Sequence, residues 1–190
     1  MTCFRMLLLV AALAAPMAAS AQSDDGSTAT PEAASALPDE TLGETYIRDT
    51  YGDWALRCIR SDDGAREPCQ LYQLLTDDND NPVSEITLFQ LPPGGPAEAG
   101  ATIVTPLETL LTQPLRLTID GGDTKQYPYT YCQPQGCVAR IGLLPAEVEA
   151  YKRGAVVRMQ IVPAAAPDRP VDLSISLTGF TAAYEALLEG

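Results

Sequence analysis

The stretch Trp54-Ala55-Leu56-Arg57-Cys58-Ile59 alternates, with Trp54, Leu56 and Cys58 on one side and Arg57 on the other. A period of two with a buried-type side and a polar side is the signature of a half-buried β-strand. Similar short runs follow. Gln70 to Leu75 continues after Cys69, and Val83 to Leu91 carries Ile86, Leu88 and Gln90 on one side. Thr102 to Thr105, Leu115 to Ile119, Val138 to Leu144, Ala155 to Val162 and Val171 to Leu177 read as further strands. Turn chemistry separates them: Asp77-Asp78-Asn79-Asp80-Asn81-Pro82, Pro92-Pro93-Gly94-Gly95-Pro96 and Asp120-Gly121-Gly122-Asp123. Tyr127, Tyr129 and Tyr131 sit at strand period and are expected to line one face. Many short strands with frequent turns predict a mostly β chain, a single β-sandwich-like domain.

Two short helices interrupt the strands. Pro145 to Gly154 opens with proline, places acids early and bases late, and stops at glycine. Thr181 to Leu188 is the second, with Ala183, Leu187 and Leu188 spaced for one apolar face.

The ends of the chain differ from this middle. Residues 1–21 read as a secretory signal peptide: Arg5, an apolar run from Met6 to Ala15, and Ala19-Ser20-Ala21 before a cleavage point at Gln22. That run is short for a bilayer span, and no later stretch reaches the roughly 20 apolar residues needed, so no transmembrane segment is expected in the mature form. Residues 22–45 are rich in Ser, Thr, Ala and Pro, hold no sustained period, and are expected to be a disordered linker. The domain then covers residues 46–190.

Removing the signal leaves Cys58, Cys69, Cys132 and Cys137, an even number in an exported chain, which points to two disulfides. Three pairings exist on paper. The local one, Cys58–Cys69 with Cys132–Cys137, is expected because each pair brackets turn residues: Ser61-Asp62-Asp63-Gly64 in the first, Gln133-Pro134-Gln135-Gly136 in the second. A redox-active dithiol would sit more closely spaced at a helix N-terminus, and zinc knuckles need shorter spacings than ten and four intervening residues. Trp54, the single tryptophan, is expected to pack on the first disulfide.

Composition narrows the function. The 190 residues carry 12 Lys and Arg against 25 Asp and Glu, a formal charge of −13, so there is no basic footprint for nucleic acid. No histidine is present, which removes Ser-His and Cys-His catalysis and His-ligated zinc. Asp77 to Asn81 interleaves Asp and Asn, but Pro82 and Leu88 occupy the places where an EF-hand loop needs Gly and Glu. No G-x-S-x-G elbow surrounds a serine, and no spacing singles out a pair of carboxylates. No catalytic residue, cofactor or metal site is therefore expected. Tyr127, Tyr129 and Tyr131 are the candidate binding surface if their face is exposed, since tyrosine offers area and a polar tip at small entropic cost; if that face is buried they are core, and burial of at least two is expected.

Read together, Tyr51-Gly52-Asp53-Trp54 with Cys58, Cys69-Gln70, Pro106-Leu107, Leu115 to Asp120, Tyr131-Cys132 to Gly136-Cys137-Val138-Ala139, and Ser176-Leu177-Thr178-Gly179-Phe180-Thr181-Ala182-Ala183 resemble the invasion-associated locus B family of exported bacterial proteins. The chain departs from the family pattern at Glu108, where a glycine is expected. The resemblance implies a periplasmic, outer-membrane-associated or secreted protein of a Gram-negative cell, with some relatives linked to host-cell invasion. It brings no catalytic residues; the cysteines and Trp54 carry over as framework. The expected function is a non-catalytic, disulfide-stabilised binding protein whose partner is a protein or another envelope component. The alternatives are a structural or chaperone-like envelope factor and a carboxylate-based envelope hydrolase.

Overall fold

The computed structural model describes residues 42–61 and 67–189. The signal peptide, most of the linker and the Asp62-Asp63-Gly64 part of the first turn lie outside the described residues. Eleven strands and two helices follow in the order β1 (Thr45–Tyr51), β2 (Trp54–Ile59), β3 (Cys69–Thr76), β4 (Pro82–Gln90), β5 (Ala99–Thr105), β6 (Leu115–Ile119), β7 (Thr124–Tyr127), β8 (Tyr129–Gln133), β9 (Gly136–Leu143), α1 (Pro145–Arg153), β10 (Val156–Ile161), β11 (Val171–Ser176) and α2 (Phe180–Glu189). All pairings are antiparallel. A seven-stranded sheet runs β1-β2-β3-β4-β5-β9-β8, and a four-stranded sheet runs β11-β10-β6-β7.

The two sheets enclose one core, and strand parity decides what enters it. From the large sheet come Trp54, Leu56, Leu71, Leu75, Ile86, Leu88, Ala101, Ile103, Ala139 and Ile141, and from the small one Leu115, Leu117, Val157, Met159, Leu173 and Ile175. Both helices contribute: α1 buries Val148 and Tyr151, and α2 buries Phe180, Ala183, Tyr184 and Leu187. Leu188, expected on the apolar side of α2, is exposed, because the buried face turns toward Phe180 and Tyr184.

Two strands depart from the expected pattern. β1 begins at Thr45, the last residue read as linker, and runs on through a stretch with no apolar alternation; its pairing with β2 makes it the edge of the large sheet. The tyrosine run is not one strand. Pro128 lacks the N–H that a ladder needs, and the chain leaves the small sheet at Tyr127 and enters the large one at Tyr129.

The disulfides have the expected pairing, Cys58–Cys69 and Cys132–Cys137. Each joins residues directly opposite in a hairpin of the large sheet, β2–β3 and β8–β9. Trp54 is fully buried in the same core cluster as Cys58, and its ring meets Phe180 edge-on at 5.3 Å between centroids.

A buried polar joint ties the sheets. Gln73, 6% exposed on an inward position of β3, donates from Nε2 to the carbonyls of Asp53 (3.2 Å) and Ser176 (3.0 Å) and accepts from the Ser176 N–H at 2.8 Å. Trp54 Nε1 donates to the same Ser176 carbonyl at 2.9 Å. Beside it the turn at Gly52 presses on Thr178 and Gly179. A Cβ on Gly179, whose φ is +82°, would stand 2.2 Å from the Tyr51 carbonyl oxygen. The Tyr51-Gly52-Asp53-Trp54 and Ser176-to-Phe180 stretches thus meet as one framework contact.

Candidate interaction surface

Parity that sends Leu56, Leu71, Leu88 and Ile103 inward sends their neighbours to the outer face of the large sheet. Tyr72, Thr87, Thr102 and Arg140 stand opposite one another in register across β3, β4, β5 and β9. The Arg57 guanidinium carbon lies 3.2 Å from the Tyr72 ring centroid, and that of Arg140 lies 5.5 Å from the Tyr131 centroid. Cation–π stacking of this kind holds a long side chain flat and lowers the entropy it must lose on contact. Ile47, Ile59 and Leu74 add exposed apolar area on the same face. Phe89 lies across Gly100, where a Cβ would stand 2.5 Å from Phe89 Cε2, so glycine is what lets the ring lie flat. Glu85, opposite Leu74, is a carboxylate within this face.

Of the three tyrosines singled out from the sequence, Tyr131 alone is substantially exposed, at 43%. Tyr127 and Tyr129 are half-buried and packed on the core. Burial, reinforced by the Glu147 carboxylate, pushes the Tyr127 hydroxyl up to about 12. Glu147 is held there by an ion pair with Lys125 and by the Leu144 N–H at the start of α1. Burial also raises Tyr129; its hydroxyl has no hydrogen-bond partner of normal geometry, although nearby Thr105 opposes the shift. The structure therefore separates the three and pairs Tyr131 with Arg140; Tyr72 and Arg57 form a second stack on the same face, four and five strands away in the sheet order. Arg57 is legible as outward from its strand period; its partnership with Tyr72 needs the β2–β3 register.

Other features singled out from the sequence are spent locally. Asp77 Oδ1 accepts from the N–H groups of Asn79 and Asn81, both at 2.9 Å, and from Asn81 Nδ2, closing the β3–β4 turn. Cys58, Cys69, Cys132 and Cys137 are all engaged in the disulfides. No helix among the described residues is long and apolar enough to cross a membrane.

Fold and surface define a disulfide-stapled, two-sheet β protein with an uncovered aromatic and arginine face. The chain belongs to the invasion associated locus B (IalB) protein family, whose pattern matches residues 54–188. Invasion protein B homologs of Brucella abortus, from strain 2308 and from biovar 1 strain 9-941, are each 25% identical over 145 residues, covering 76% of this chain and 81% of theirs. The crystal structure of invasion associated protein b from Bartonella henselae shares the fold, with a TM-score of 0.63 at 24% identity over 74% of this chain and 95% of that one. These relatives are named as invasion proteins and not as enzymes.

Proposed function

We propose that this chain is an exported, non-catalytic binding protein of the bacterial cell envelope, periplasmic or surface-associated, that takes a protein partner on the outer face of its seven-stranded sheet. The observation that carries the reading is the pair of prearranged stacks, Arg57 on Tyr72 and Arg140 on Tyr131, on a sheet face that also exposes Ile47 and Leu74. Tyrosine and arginine are the side chains that most often dominate binding at protein interfaces. The leader-like residues 1–21 and the two disulfides support export into an oxidising compartment. The names of the Brucella and Bartonella relatives support a role at the interface with a host.

The test is affinity capture from envelope and host-membrane extracts with cross-linking, comparing the disulfide-intact chain with a Tyr72→Ala/Tyr131→Ala double variant. A defined protein held by the parent chain and weakened about tenfold or more in the variant is expected, since hot-spot truncations cost upwards of about 2 kcal/mol. Equal capture by the two, or turnover of a glycan or ester by the purified chain, would overturn the reading.

A further inference from the structure

The other wall of the molecule has different chemistry. On the outer face of the small sheet, cross-strand register builds two polar rows. Gln126, Arg116, Gln160 and Asp172 form one, and Thr124, Thr118, Arg158 and Ser174 form the next. Neither row holds an aromatic or aliphatic side chain. Arg116 and Arg158 sit diagonally on adjacent strands, within reach of a common group. With Gly121, Gly122 and Val156, the two arginines, Thr118, Thr124 and Gln160 line an open groove of about 700 Å³.

The charge pattern in the groove is unusual for a chain with a formal charge of −13. Arg116 donates to the neutral Gln160 Oε1 at 3.1 Å, and Gln160 in turn donates to Asp172 at the sheet edge at 3.0 Å. Arg158 stands between the hydroxyl residues Thr118 and Ser174 and forms no ion pair within 4.0 Å among the described residues. Asp120 is the carboxylate lining the groove, and it accepts the N–H groups of Ala155 (3.2 and 3.1 Å) and Val156 (3.0 Å), which partly neutralise it. Among the described residues, neither guanidinium fork is paired to a carboxylate, and both stand among hydroxyl and amide groups, with Asp120 and Val156 also in the lining.

We propose that this groove binds a sugar-like polyol carrying an oxyanion, the carboxylate or phosphate held by Arg116 and Arg158 and the hydroxyls by Thr118, Thr124 and Gln160. Arginine matches carboxylate and phosphate in a bidentate geometry, and side-chain amides and hydroxyls can both donate to and accept from a polyol. Val156 is the one aliphatic side chain in the lining and no aromatic ring joins it, which disfavours a lipid tail, a nucleobase or an apolar peptide.

Calorimetric titration of the disulfide-intact chain with glucuronate, glucose 6-phosphate, glucose and inorganic phosphate tests this. Saturable binding of glucuronate or glucose 6-phosphate is expected, tighter than that of glucose or of inorganic phosphate. Amide chemical-shift changes should concentrate on β6, β7 and β10. Arg116→Gln and Arg158→Gln should each weaken binding about tenfold, the loss typical of one charge-assisted contact. Arg158→Lys should recover only part of it, and Arg48→Gln on the large sheet should leave it unchanged. Arg158 is exposed and Arg116 half-exposed on the outer face, and circular dichroism of each variant checks that the fold is kept. Vesicles carrying glycerol-phosphate headgroups, run in parallel, distinguish a lipid-borne source from a soluble one, and either result supports the assignment. Glucose binding as tightly as glucuronate, indifference to both arginine variants, or no saturation with either acidic sugar would overturn it. Inorganic phosphate matching glucose 6-phosphate would overturn the sugar half of the assignment.

Discussion

At the scale of single residues, Gln73 holds more of the structure than its surface contribution suggests. Its amide satisfies both backbone groups of Ser176, the last residue of an edge strand, and also the Asp53 carbonyl. Replacing Gln73 with leucine keeps the volume but leaves the Ser176 N–H and the Asp53 carbonyl without this partner in a buried setting. A loss of about 2–3 kcal/mol is expected, because unsatisfied buried groups cost more than a hydrogen bond contributes. Urea denaturation of the Gln73→Leu variant measures it, and a change below about 0.5 kcal/mol would count against this role. Nothing in the local sequence marks Gln73. It occupies an inward position of a plainly alternating strand, and its partners lie 20 and 103 residues away.

Among the elements, most were legible, and the exceptions share a cause. β2, β4, β6, β9, β10 and β11 each alternate inward and outward residues, and turn residues bound them. β1 was not legible because an edge strand, mostly exposed, needs no apolar period; pairing with β2 rather than composition makes it a strand. The Tyr127-Pro128-Tyr129 corner was misread because period two is shared by one strand and by two strands meeting at a proline. The candidate surface was only half legible. Tyr131 is marked by type, but Arg140 becomes its neighbour, and Tyr72 reaches the same face four strands away, through the order of strands in the sheet, which local pattern does not contain. The two hairpin disulfides were readable because the turns lie between the cysteines. They close segments with separations of 11 and 5 residues, so loop-closure entropy assigns the first about 3 kcal/mol and the second about 2 kcal/mol. Thermal unfolding of Cys58→Ser/Cys69→Ser and Cys132→Ser/Cys137→Ser pairs should both show lower Tm values, the former by more; the reverse order would show that the entropic account fails here.

For the molecule as a whole, tyrosines couple the fold to alkaline pH. Tyr127 is held at about 12, and burial also raises Tyr129, Tyr151 and Tyr184, the last with help from Glu98. An unfolded chain ionises its tyrosines near about pH 10. Their raised values mean that the native state keeps protons the unfolded state has released. This contribution to stability is complete below about pH 10 and is lost as pH rises toward the native values. Absorbance at the tyrosinate band, followed alongside circular dichroism, should show part of the eight tyrosines ionising only as the fold opens. All eight titrating near pH 10 with the fold intact would contradict this.

The positions of the disulfides have a consequence for the two walls of the sandwich. Both cross-links lie in hairpins of the large sheet, and among the described residues the layer bearing Arg116 and Arg158 has none. A reductant has no bond to sever there. Passage between compartments of different redox poise would loosen the aromatic wall directly and reach the polyol-facing wall only through the core they share.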